Sequence, residues 1–180
     1  MRRTLALLAI VFGVPMLEGA LAPFLPAAFR PDLALLVVFA LSLSWRDPAT
    51  GLLLAAACGF VVDLFSGALL GQHALLSVLA FVAARALSVH VSMLGVVPQM
   101  ACAAALTAVH AIGVVGLTTF FTPGADFSLV RAGIIVPRVA VNALVAPVVT
   151  RAVSALVAWL AGEDVGRRPL RIATTRSWVP

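Results

Sequence analysis

Residues 59–76 read GFVVDLFSGALLGQHALL. The stretch places one carboxylate, Asp63, near the end of a long apolar run, follows it with Ser66, Gly67 and Gly71, and opens the next apolar run at His73. A carboxylate is costly in hydrocarbon unless it faces protein or water, so the fold has to account for Asp63. The surroundings are apolar throughout: 63% of the 180 residues are hydrophobic, 11% are charged, and the mean hydropathy is +1.15. Soluble domains run to about 45–50% apolar and about 25% charged residues, so the composition is that of an integral membrane protein. The length holds about six spans of roughly 20 residues and leaves little for a separate soluble catalytic domain.

The predicted fold is all-α with six transmembrane helices over 1–161. The spans fall at about 4–21, 33–45, 50–65, 73–89, 96–121 and 138–160, with a short interfacial segment at 127–136 and a cytoplasmic tail at 162–180. Prolines and glycines set these divisions. Pro15 is expected to kink span 1 and Glu18 to snorkel from its far end to the interface. Pro23, Pro26 and Pro31 punctuate a loop and make Asp32 a helix start, either as N-cap or in the first turn. Arg46-Asp47-Pro48 reads as a tight turn, and so does Thr122-Pro123-Gly124-Ala125-Asp126. The apolar stretch after it is too long for one span, so Pro137 is expected to divide it and Pro147 to kink the part that follows. Spans 2 and 3 reach only about 20–24 Å, less than a bilayer core of about 30 Å. They need extension by their flanks, shelter from longer neighbours, or a thinned membrane.

The net charge of +5 is carried by arginine, with no lysine in the chain. Arg2, Arg3, Arg46, Arg167, Arg168, Arg171 and Arg176 fall on one predicted side, with Arg85 and Arg151 at the same ends of spans, whereas Arg30 and Arg131 fall on the other. The positive-inside rule makes the first side cytoplasmic and puts both termini there; Trp45 and Trp159 at inner span ends agree. The N-terminus imitates a secretion signal, but Pro23 after the small residues Gly19 to Ala22 disfavours cleavage, so a retained span is expected. Such spread-out arginines do not suggest nucleic acid.

Several rows of small or polar residues recur every fourth position. Gly51, Ala55, Gly59 and Asp63 form one ridge on span 3; Ser77, Ala80, Ala84 and Ser88 lie along span 4; Arg138, Asn142, Ala146, Thr150 and Ser154 lie along span 6. Small residues let membrane helices approach closely, so these rows are candidates for mutual contact or for contact with a partner's helix. Asp63 has two readings: a structural carboxylate accepting N–H groups of the Ser66-Gly67 turn, or a proton or cation site. The first is preferred, because no second intramembrane acid stands near it in sequence. Arg138 and Asn142 are its candidate partners from span 6. His73 is expected to bond within the loop. His110, three residues after Thr107, has two readings: the pair faces an internal cavity, or the histidine bonds a neighbouring helix, and the second is preferred. Cys58 and Cys102 read as small apolar residues. No nucleophile–base pair, metal-ligand spacing or phosphate loop is legible, so catalytic, cofactor and metal residues are expected to be none. Asp63, His73 and His110 are expected at different depths.

Pro31-Asp32-Leu33 before a span, Gly59 to Gly67, Leu70-Gly71-Gln72-His73-Ala74-Leu75, and Asn142 to Pro147 in the last span together resemble the rod shape-determining MreD family. The resemblance implies a bacterial inner-membrane protein of the machinery that inserts side-wall peptidoglycan. It implies MreC as partner and, through it, RodA with its class B transpeptidase and the MreB filament. It also implies a fold like the S-components of energy-coupling-factor transporters, and no enzymatic activity. Pro31, Asp32, Gly59, Asp63, Ser66, Gly67, Gly71, His73, Asn142 and Pro147 are the motif residues expected to be structural or partner-binding. The alternative reading is an S-component-like small-molecule-binding subunit of a transporter. It requires convergent polar groups around a cavity, and the outer loops supply few: Arg30, Gln72, His73 and Asp126.

Overall fold

A computed structural model describes residue 7 and residues 9–67, 69–122 and 129–160, with side chains from 133 onward in the last stretch. The predicted tail at 162–180, the turn residues 123–126, the first part of span 1 and the side chain of Arg131 lie outside these residues. Among the described residues every regular element is helical. The helices are α1 (Val14–Leu21), α2 (Leu33–Ser44), α3 (Pro48–Ser66), α4 (Gln72–His90), α5 (Val96–Phe121) and α6 (Leu129–Leu160). Five segments are long and apolar enough to cross a membrane: Ala27–Ser44, Pro48–Ser66, Gln72–His90, Val96–Phe121 and Gly133–Leu160. Ala9–Phe24 is a shorter apolar helical stretch. The protein is an all-α, multi-pass membrane protein.

α2 is the centre. It has 12 residues, about 18 Å of helix, and its nine consecutive residues Ala34 to Ser42 are all buried. α6, α4, α3 and α1 pack around it. The shortness of span 2 is therefore met by longer neighbours, which screen its ends from lipid. α2 divides the core. Val38 and Leu41 pack with Leu54, Cys58 and Val61 of α3 and Phe81 of α4; Leu36 and Phe39 pack with Cys102, Ala103 and Ala146. Both cysteines are buried as small apolar residues.

The helix boundaries follow the turn chemistry. Asp32 is the N-cap of α2, accepting the Leu35 N–H at Oδ1 over 3.0 Å, and Asp47 caps α3 by accepting the Ala49 and Thr50 N–H groups. Gly67, at φ +63°, ends α3 in a left-handed conformation that side chains resist. At the other end of α2, Arg85 of α4 donates Nη1 to the carbonyls of Ser42 (3.1 Å) and Trp45 (2.9 Å), groups a helix terminus leaves unpaired.

One expectation about proline changes. A π-helical turn, Ala9–Gly13, precedes Pro15 and widens the backbone where Val11 loses its usual donor. α6 runs unbroken for 32 residues through Pro137 and Pro147, so Pro137 does not divide the stretch. The reason is the solvent. A proline in a helix interior costs about 3 kcal/mol, but ending the helix in hydrocarbon exposes up to four carbonyls and four N–H groups at several kcal/mol each. At about 48 Å, α6 exceeds the bilayer core and must tilt or project beyond it.

The small-residue rows face inward. Gly51, Ala55, Gly59 and Asp63 are all buried, as are Ser77, Ala80 and Ala84, and Asn142, Ala146 and Thr150. They serve contact within the bundle. A Cβ at Gly59 would lie 2.4 Å from the His73 carbonyl oxygen and 2.7 Å from Ala74 Cα, so the start of α4 rests directly on the α3 backbone.

Candidate functional site

The close approach at Gly59 brings Asp63, one turn later, under the N-terminus of α4. Gly71 begins that helix at φ +90° and has no side chain to cap it. Asp63 does so from the preceding helix. Its Oδ2 accepts the N–H of Gly71 (3.0 Å) and of Ala74 (3.1 Å), and its Oδ1 accepts the N–H of His73 (2.9 Å) and His73 Nδ1 (2.8 Å). An ionised carboxylate only accepts, so Nδ1 donates. Three orphan N–H groups, an imidazole and the positive end of the helix dipole together compensate a carboxylate only 2% exposed. The structural reading of Asp63 holds, but its partners are those of Gly71, His73 and Ala74 and not the Ser66-Gly67 turn. Ser66 Oγ instead donates back to the Asp63 carbonyl over 3.4 Å. Arg138 and Asn142 do not bond Asp63 either.

The start of α2 lies beside this turn and carries a second carboxylate cap. Besides Asp32 on Leu35, Glu18 of α1 accepts the Ala34 N–H at Oε2 over 3.3 Å. Glu18 therefore turns inward and does not snorkel: a helix N-terminus with free donors competes successfully with the interface. Asn142 of α6 is fully buried; its Oδ1 accepts the Asp32 N–H (2.9 Å) and its Nδ2 donates to Thr107 Oγ1 of α5 (3.1 Å). One amide thus joins α2, α5 and α6. Gln72 adds a further tie, donating Nε2 to the Val114 carbonyl (2.9 Å) and to Thr118 Oγ1 (3.3 Å).

These caps surround a cavity of about 350 Å³ lined by Glu18, Asp32, His73, Ser77, Thr107, His110 and Arg138, with Val62, Val114, Val115, Ile134 and Ile135 as apolar wall. The His73 and His110 rings lie 5.8 Å apart. His110 Nδ1 is 3.8 Å from Asp32 Oδ2, and Arg138 Nη2 is 4.0 Å from Glu18 Oε1. His110 thus faces Asp32 across the cavity and makes no close hydrogen bond to it. Asp63, His73 and His110 are brought together and do not lie at different depths. α5 has 26 residues, about 39 Å, so His110 in its interior lies level with the ends of shorter neighbours. A linear count of spans hides this, because it treats all helices as equally long.

Of the other motif residues, Pro31 leads into the Asp32 cap, Gly67 and Gly71 bracket the turn with positive φ, and Pro147 lies within α6. Sequence reasoning missed Glu18 as an inward group and gave Thr107, Gln72 and Arg85 no bonding role. The available signal was their spacing: Thr107, His110 and Val114 share one face of α5. Among the described residues no set of three or more His, Cys, Asp or Glu side chains is disposed to hold a metal ion. Compared with protein-family profiles, curated proteins and solved structures, the chain matches none.

Proposed function

We propose that this chain is a non-enzymatic membrane scaffold of the bacterial elongation machinery, an MreD-like protein that binds MreC and through it supports RodA and its class B transpeptidase in side-wall synthesis under MreB. The observation that carries the reading is where the resemblance residues fall. Asp32, Gly59, Asp63, Gly71, His73 and Asn142 are all used to lock helix starts against one another. Such a frame presents a fixed outer surface, which suits holding a partner. The small-residue rows are consumed inside the bundle, so a partner helix would pack on outward residues such as the α3 stripe Leu53, Phe60 and Leu64, all exposed. In this reading the protein sits in the inner membrane. The end bearing Trp45, Arg46 and Arg85 is cytoplasmic, and the Asp63–His73 turn is periplasmic.

The cavity favours a second reading, the small-molecule-binding subunit of a transporter. Its polar groups converge from helix starts as well as helix interiors, where the loops alone supplied too few. Mild solubilisation of the tagged protein from its own membranes, followed by mass spectrometry of what co-purifies, separates the two. A bitopic periplasmic protein with cell-wall synthases is the expected result; ATPase and transmembrane coupling subunits would overturn the scaffold in favour of the transporter.

A further inference from the structure

The cavity at the start of α2 has an unusual division of charge. Asp32 Oδ1 and Glu18 Oε2 accept from backbone N–H groups of α2, while Asp32 Oδ2 and Glu18 Oε1 are turned towards His110 and Arg138. The groups opposite, His110 Nδ1 at 3.8 Å and Arg138 Nη2 at 4.0 Å, stop short of hydrogen-bond distance. Arg138 Nε is buried and has no hydrogen-bond partner among the described residues. Ion pairs held at this range in a membrane interior are loose, and a polar group bound alongside them can bond both partners at once. A cavity of about 350 Å³ is within the range of small-molecule sites, about 300–1,000 Å³, and it carries the mixture they have: an apolar wall with few convergent polar groups.

We infer that this cavity binds a small zwitterion bearing a primary ammonium and an oxyanion a few bonds apart. The ammonium donates to the carboxylates of Asp32 and Glu18, and the oxyanion accepts from Arg138, with His110 beside it. A simple anion would meet two carboxylates, and a simple cation would meet the guanidinium; a zwitterion meets both ends with the matching sign. The aliphatic wall of Val114, Val115, Ile134 and Ile135 covers the carbon atoms between. This inference is independent of which assembly the protein joins. Two sources share the chemistry, a free aqueous zwitterion and an ethanolamine phosphate head group of a lipid.

The test uses the full-length protein in phosphatidylcholine nanodiscs, whose quaternary ammonium has no N–H to donate. Phosphoethanolamine is titrated in by calorimetry, and native mass spectrometry is run on protein from mixed phosphatidylethanolamine and phosphatidylcholine discs. The expected result is saturable binding, weakened about tenfold or more by Glu18→Gln and by Arg138→Gln. Ala111→Trp, which fills the cavity without changing its charges, abolishes it, and Ser154→Ala at the opposite end leaves it unchanged. Retention of phosphatidylethanolamine over phosphatidylcholine with the same variant pattern, without binding of free phosphoethanolamine, assigns the lipid source. Absence of both, or binding that survives all three cavity substitutions, overturns the inference. Because the readout is ligand binding, a failure here is distinct from a failure to co-purify MreC or a synthase.

Discussion

Replacing Asp63 by alanine removes the acceptor of four hydrogen bonds at once. The imidazole of His73 is partly exposed to the cavity and can turn to other partners, but the N–H groups of Gly71, His73 and Ala74 are fixed by the helix backbone. Each buried donor left unpaired costs about 1–3 kcal/mol, so the three together set a range of about 3–9 kcal/mol. Water entering from the adjoining cavity reduces this, and a net loss of about 3–5 kcal/mol is expected. The assay is reversible unfolding in mixed micelles with increasing SDS, combined with amide hydrogen exchange at 71–74. Exchange at those positions should accelerate more than exchange in α2 or α6. Asp63→Asn preserves shape but presents an NH₂ to donors, and should lose more than half of the stabilisation. An Asp63→Ala protein that unfolds within about 1 kcal/mol of the parent, below the cost of even one strained donor set, would refute the capping argument.

Gly59→Ala should destabilise by about 1–3 kcal/mol through overpacking, because the new methyl meets backbone atoms of His73 and Ala74 that cannot rotate away. Gly116→Ala, with nothing within 4 Å of the added Cβ, should be neutral or stabilising in the same SDS titration. Asn142→Leu leaves the Asp32 N–H without its acceptor and should cost about 1–3 kcal/mol, with accelerated exchange at the start of α2; equal protection there would contradict the linking role. Arg85→Met keeps the aliphatic stem but frees the carbonyls of Ser42 and Trp45, so proteolysis near 45–47 should rise; unchanged cleavage would show that water caps α2 equally well. The Asp47 carboxyl is held below its ordinary range by the Thr50 hydroxyl and then by the Thr50 N–H. A depressed pKa contributes stability that is complete above the unfolded value, about pH 4, and fades as pH falls through the folded one. Asp47→Asn should flatten the acid limb of the melting curve below about pH 4, and an unaltered limb would remove Asp47 from the account.

Residue types and their order determined much of this protein. Apolar runs placed α2 to α5 to within two residues, since only helices satisfy backbone groups in lipid, whereas α6 starts nine residues before its expected span. Asp32 announced a helix start because capping is local, and the fourfold spacing of Gly51, Ala55, Gly59 and Asp63 marked an inward face because small residues let membrane helices approach closely. What lay between helices was legible only in outline. The row holding Asn142 pointed inward, but nothing in the sequence said that its amide would join Asp32 to Thr107, because that depends on the axial stagger of α2, α5 and α6. Pro137 looked like a break by rules learned in water, and the continuous α6 reflects the higher cost of a helix end in hydrocarbon. The cavity was decided by tertiary structure alone. A 12-residue α2 starts beside the interior of a 26-residue α5, and that difference in length carries Glu18, Asp32, His73, His110 and Arg138 from five separate places in the chain to one wall.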